Sequence, residues 1–263
     1  VCIRRADRHI HDAAQKERKL KMESYYFQME ELSVGYNGKP LIEHINIGVK
    51  KGEIVTLIGP NGSGKSTTVN LIAGTIPADE GSILFEGHSI ARLSVAKRAK
   101  RGICRTFQTP KAFTGITVYN SVFTIALQHG SFSQADEHTE RILQEFGLWE
   151  MKDAFSEKLS IEKRKQLDLA RIMAQKPKII MLDEVMAGLN PSEMEECVKL
   201  VRKINQMGVS ILFIEHVMRA VSALCERVIV LQDGALLSSG APQVVLNDPK
   251  VIEAYLGKGT LNA

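Results

Sequence analysis

The chain lacks any run close to the roughly 18 apolar residues that a membrane-spanning helix requires. Apolar stretches such as Ile179 to Leu182, Ile211 to Ile214 and Val228 to Leu231 have the length of strands. The opening Val1-Cys2-Ile3-Arg4-Arg5-Ala6-Asp7-Arg8-His9 has no apolar core of a secretory signal. Any link to a membrane is therefore expected to run through a partner. Cysteine is sparse: Cys2, Cys104, Cys197 and Cys225 are scattered without C-x-x-C spacing, which argues against a thiolate zinc site or a disulfide framework and fits a reducing cytosol. An excess of charge is also lacking in the body of the chain. The formal net charge of +4 comes from residues 1–22, where seven Lys or Arg face three acids, while the remainder holds 27 of each. A neutral body argues against nucleic acid as a partner. What is present, 263 residues of which 44% are hydrophobic, suffices for one large or two small domains with a real core.

The stretch Gly59-Pro60-Asn61-Gly62-Ser63-Gly64-Lys65-Ser66 fits the phosphate-cradling pattern G-x-x-x-x-G-K-S/T. Its flanks are those the pattern needs. Glu53 to Gly59 is a short apolar, β-branched run that reads as a buried strand, and Lys65 to Ala73 reads as a helix ended by Gly74. Glycines let the loop curl so that successive N–H groups point at an anion, and the new helix adds its positive dipole end. Lys65 would contact the β and γ phosphates, the Ser66 hydroxyl would be a Mg²⁺ ligand, and a nucleoside triphosphate is the expected ligand.

Around this loop the chain alternates strands and helices. Two or more antiparallel strands precede it, one from near Phe27 and one over Ile42 to Val49, with Tyr36 in the turn between them as a base-stacking aromatic or simply an exposed turn residue. Further strands are expected over Ser82 to Glu86 and Gly102 to Gln108, with a basic helix over Ile90 to Lys100 between them. From Thr117 to about Trp149 helical periodicity replaces the alternation, interrupted by the polar Ser131 to Glu140, and Ser160 reads as the N-cap of a helix carrying Leu167, Ala170 and Ala174. Lys178 to Leu182 is a buried strand closing on Asp183 and Glu184. Paired acids at a strand's carboxyl end suit Mg²⁺ organisation by Asp183 and water polarisation by Glu184, the alternative being a helix-capping pair. Val209 to Glu215 is another strand, ending at His216, which is either structural or a hydrogen-bond partner of the γ-phosphate or the attacking water. A hairpin over Arg227 to Gly240 and a helix over Pro249 to Leu256 complete the chain.

In this order the motifs resemble those of the ATP-binding cassette (ABC) ATPases over about residues 29–257. The resemblance implies an α/β P-loop NTPase fold with a mostly parallel sheet core, an N-terminal antiparallel β subdomain and a helical subdomain inserted at about 109–175, within a domain spanning 23–257. It implies that ATP and Mg²⁺ are bound by Tyr36, Gly59, Asn61, Gly62, Ser63, Gly64, Lys65, Ser66, Thr67 and Gln108, with Ser66, Gln108 and Asp183 on the metal and Glu184 and His216 catalytic. It further implies that a second cassette, identical or different, pairs head to tail so that Ser160 reaches the γ-phosphate held by the other subunit. The partners would be transmembrane permease subunits and, indirectly, a solute-binding protein. The cassette itself would be cytoplasmic and peripheral on the inner face of the membrane. Gly102 to Gln108, Phe113 to Asn120, Ala187-Gly188-Leu189-Asn190 and Asn247 to Leu256 look like the ATPase subunits of bacterial branched-chain amino-acid importers. Residues 1–22 are read as a flexible or extraneous arm before Met22, or else a basic arm on an anionic membrane surface, and 258–263 as a tail.

The pattern departs from the family at three points. Leu159-Ser160-Ile161-Glu162-Lys163 stands where Leu-Ser-Gly-Gly-Gln is usual, Val185 where proline is common, and Asn190 where aspartate is common. A carboxylate about 4 Å from a γ-phosphate costs on the order of 4 kcal/mol per unit charge at an effective dielectric of 20. Glu162 is therefore expected to turn away, toward Lys163 or Lys165. The alternative to a transport ATPase is a nucleotide-gated clamp with weak hydrolysis.

Overall fold

A computed structural model describes residues 25–36, 38–106 and 114–256. The arm, Gln108 and the tail lie outside the described residues. Two sheets organise the chain. Strands β1 (Phe27–Tyr36), β2 (Lys39–Val49), β4 (Glu80–Phe85) and β5 (His88–Ser89) form an antiparallel sheet in the order β2-β1-β4-β5. Strands β3 (Ile54–Ile58), β6 (Ile103–Arg105), β7 (Ile179–Asp183), β8 (Ser210–Ile214), β9 (Arg227–Gln232) and β10 (Ala235–Gly240) form the second, in the order β10-β9-β3-β8-β7-β6. Its pairs are parallel except for the β9–β10 hairpin.

The near-continuous apolar runs of β3, β7, β8 and β9 follow from this placement, since a parallel strand covered on both faces has no solvent side. Alternate residues serve two cores. Val55, Leu57, Met181, Ile214 and Leu231 join the antiparallel sheet and helix α1 (Lys65–Ala73). Ile58, Leu182, Phe213 and Val230 join a core built with helices α3 (Val118–Ala126), α4 (Phe132–Glu145), α5 (Ile161–Ala174), α6 (Pro191–Gln206) and α7 (Met218–Leu224). Short helices α8 (Pro242–Val245) and α9 (Pro249–Leu256) close the described chain.

Three local expectations are corrected. The polar stretch Ser131 to Glu140 does not separate helices but begins one: Ser131 and Gln134 form a capping box that starts α4. The basic stretch Ile90 to Lys100 is helical only as α2 (Val95–Lys100). Within it the buried Arg98 turns inward, and its Nη1 donates to the carbonyls of Leu71 (2.6 Å) and Ile72 (2.8 Å) in the last turn of α1, the first of which also accepts from the Gly74 N–H. Of the strand expected over Gly102 to Gln108, Ile103–Arg105 is a strand, Gly102 and Thr106 flank it, and residues 107–108 lie outside the described residues.

Candidate nucleotide site

The site lies at the carboxyl ends of β3, β8 and β7, adjacent strands that align Leu57 with Ile214 and Ile214 with Asp183. After β3 the chain enters the phosphate loop. Gly59 has φ 155°, and a Cβ there would sit 2.2 Å from the Leu231 carbonyl oxygen, so glycine is required by β9 next door. Gly62 and Gly64 have φ 82° and 100°, left-handed values that side chains resist. Gly64 is the N-cap of α1 and brings no side-chain acceptor, so the first N–H groups of the helix, on Lys65, Ser66 and Thr67, have no intrahelical partner and are available to an anion. The Ser63 hydroxyl is buried with no hydrogen-bond partner among the described residues. Asn61, Gly62 and Ser66 are exposed along the loop. Lys65 folds back, its Nζ donating to the carbonyls of Gly59 (2.7 Å) and Pro60 (2.9 Å). Burial pulls its ammonium below the ordinary lysine range, opposed by the charges of Glu184 and Asp183. An orphan hydroxyl, open helix N–H groups and a desolvated lysine together fit the phosphates of a nucleotide.

The acids are fixed by three strands. The Asp183 N–H donates to Thr106 Oγ1 at 2.9 Å, and Arg105 Nη2 lies 3.6 Å from Asp183 Oδ2. Burial raises the Asp183 pKa; Arg105 lowers it and the neighbouring Glu184 raises it further. Two acids side by side on a half-dry edge, and the exposed Ser66 hydroxyl in the first turn of α1, are oxygen donors of the kind that suits Mg²⁺. Glu184 has a left-handed backbone, φ 50°, held by its N–H bond to the Ile214 carbonyl at 2.9 Å. Its Oε1 lies 3.3 Å from His216 Nε2.

Glu215, which sequence reasoning left without a role, proves to be the brace of this edge. It is buried, accepts from the N–H groups of Met186 (2.8 Å) and His216 (3.2 Å), and so ties the loop after Glu184 to the end of β8. Burial pushes its carboxyl up, partly offset by those backbone bonds. Its adjacency to His216 at a strand end was the available signal. The structure thus gathers Lys65, Asp183, Glu184 and His216 on one edge. Tyr36 stands 71% exposed in the β1–β2 turn. Ser160 is the exposed N-cap of α5 and accepts from the Lys163 N–H at 3.2 Å. Glu162 does turn aside: its Oε1 accepts from Gln166 Nε2 at 2.9 Å and lies 3.8 Å from Lys163 Nζ. Lys165 instead donates to the Ala187 carbonyl in the loop after the acids. Asn190 caps α6 through a capping box with Glu193.

A strand, glycine loop and helix facing two acids and a histidine define a P-loop NTPase. Residues 42–187 match the family model described as ABC transporter, and residues 235–260 match that of branched-chain amino acid ATP-binding cassette transporters. The chain belongs to the ABC transporter ATPase family, and it is an ATP-binding, ATP-hydrolysing subunit. It is 31% identical to the lipopolysaccharide export system ATP-binding protein LptB of Escherichia coli strain K12, over 86% of this chain and 95% of that one. It is 33% identical to the probable branched-chain amino acid transport ATP-binding protein LivG of Archaeoglobus fulgidus, over 88% and 95%. Among solved structures, the ADP conformation of MJ1267, an ATP-binding cassette of an ABC transporter, superposes with a TM-score of 0.81 at 29% identity, covering 89% of this chain and 99% of that chain. Among the described residues no helix is long and apolar enough to cross a membrane.

Proposed function

We propose that this subunit powers the import of a small solute, with branched-chain amino acids as the solute class, docked on transmembrane permease subunits at the inner face of the membrane. The observation that carries the solute class is the match of the C-terminal segment 235–260 to the branched-chain amino acid cassette model, together with LivG among the relatives. The loop N–H groups and Lys65 hold the phosphates, Tyr36 stacks on the adenine, and Ser66, Asp183 and Gln108 would hold Mg²⁺. The metal, when bound, neutralises charge on the β and γ phosphates. Glu184 accepts a proton from the attacking water as its oxygen bonds to the γ phosphorus and the bond to the β-phosphate oxygen breaks. His216, 3.3 Å from Glu184, orients that carboxylate and the water. A second cassette supplies its Ser160 to this γ-phosphate.

The LptB relatives favour a second reading, export of a lipopolysaccharide. Reconstituting the chain with its permease in proteoliposomes and measuring ATP-dependent leucine uptake separates the two. Uptake that depends on ATP is expected. ATP turnover without any response to leucine or its binding protein would overturn the solute assignment while leaving the ATPase intact.

A further inference from the structure

A second polar cavity, of about 260 Å³, opens in the helical layer, and none of its lining residues belongs to the phosphate loop or to the strand ends described above. Three elements converge on it. His129 ends the 3₁₀ turn that follows α3, His138 and Arg141 stand one turn apart on α4, and Lys176 follows α5 with φ 52°. Arg141 Nη2 lies 2.9 Å from His138 Nδ1. A guanidinium can only donate, so Nδ1 accepts and the imidazole proton sits on Nε2. The Nε2 of His129 is buried with no hydrogen-bond partner among the described residues, whereas the His138 ring is turned to the backbone carbonyl of Ala174.

Buried polar atoms are normally satisfied, so the orphan nitrogen of His129, a lining residue of this cavity, calls for a ligand. The surrounding charge says which kind. Burial and then the charges of Arg141, Lys176 and His129 depress the His138 pKa, the mark of a locally positive site. Glu137 is the one acid in the lining and is exposed, and Gln134 Oε1 is spent on the Ser131 N–H. Neither Arg141 nor Lys176 has an ion pair among the described residues. With a water's share of liquid volume near 30 Å³, the cavity has room for an oxyanion and its first waters.

We propose that this pocket binds a phosphate group, held by His129, Arg141 and Lys176, with His138 in the wall behind Arg141. The group comes either from a soluble phosphate or from the headgroup of an anionic phospholipid. Bidentate donation by Arg141 and the point charge of Lys176 are the usual means of holding one.

The test uses the full chain with its nucleotide cleft filled by saturating ADP. Inorganic phosphate is titrated while the imidazole resonances are followed by NMR, and His129→Gln and His138→Gln assign the two signals. Both are expected to move together and saturably, and Arg141→Gln is expected to weaken the apparent affinity about tenfold. Lys176→Gln, at an exposed position, gives the same reading should Arg141→Gln unfold. Flotation with phosphatidate-containing vesicles, compared with pure phosphatidylcholine, assigns the source. Flotation lost in Arg141→Gln points to the lipid, and phosphate saturation without flotation points to the soluble anion. Absence of saturable movement, or affinity unchanged by both Arg141→Gln and Lys176→Gln, overturns the proposal.

Discussion

Glu184 sits in a backbone conformation that a glutamate resists, with φ 50°, and its carboxylate is aimed at His216 Nε2 from 3.3 Å. Such strain persists only where surroundings impose it, here the N–H bond to Ile214 and the brace of Glu215 against Met186. Replacing the carboxylate by its neutral isostere keeps that geometry and removes the proton acceptor. Glu184→Gln is therefore expected to bind ATP like the parent and to lower phosphate release at least about 100-fold. Equilibrium nucleotide binding beside steady-state turnover checks this, and parental turnover would sink the assignment. The phosphate loop was legible in the sequence because its conformation is set by consecutive residues. Thr106 and Glu215 were not, because their bonds to Asp183 and Met186 join residues 77 and 29 positions apart. Only the register of β6, β7 and β8 brings those together.

At the scale of elements, strands were easier to see than helices. β3, β7 and β8 are short and almost wholly apolar, and the residues with chemistry to do stand at or just after their ends: the phosphate loop after Ile58, Asp183 and Glu184 at the end of β7, and Glu215 and His216 after Ile214. The second half of α4 was legible from Ile142 and Leu143, but its first half was hidden because the buried stripe there uses Ala135 and Thr139. Thr139 reads as polar in sequence but hides its hydroxyl by donating to the Ala135 carbonyl at 2.7 Å. The two sheets meet at a partly buried pair: Arg227 at the start of β9 donates from Nε (2.8 Å) and Nη2 (3.1 Å) to the buried Glu53, and from Nη2 to the Gly48 carbonyl in β2. Burial pushes the Glu53 carboxyl up, but the Arg227 hydrogen bond, the Lys50 N–H and the Arg227 charge outweigh it and hold the pKa below 4.5. The unfolded chain then binds the extra proton first. The pair's contribution is complete above the ordinary carboxylate value and is lost as pH falls through the lower folded one. Glu53→Gln, which leaves the partly buried Arg227 without its charge partner, is expected to cost about 3 kcal/mol at neutral pH. It should also flatten the loss of stability below about pH 4.5. Urea unfolding of both proteins across that range gives the slopes. Asp183 and Glu215, whose pKa values are raised by burial, bias the raw profile the other way, so the difference between variant and parent is the informative curve.

One cassette presents half of each proposed nucleotide pocket, and the half it offers a partner is the start of α5. Two residues there replace the usual glycines, and they differ in what they obstruct. Glu162 is already engaged by Gln166 and Lys163, and a carboxylate in the first turn is favoured by the helix dipole. Ile161, in contrast, is 64% exposed beside Ser160, where a branched side chain keeps a phosphate from the backbone. If Ser160 faces the partner's γ-phosphate as proposed, the barrier to pairing is steric rather than electrostatic. Ile161→Gly in a Glu184→Gln background is therefore expected to raise the ATP-dependent dimer association constant about tenfold. Each glycine also weakens α5 by roughly 0.5–1 kcal/mol, which thermal unfolding would register separately. Glu162→Gly should leave association within about twofold of the parent, a change below 0.5 kcal/mol. Sedimentation velocity with and without ATP measures both. A larger gain from Glu162→Gly would mean that charge, and not shape, keeps these subunits apart.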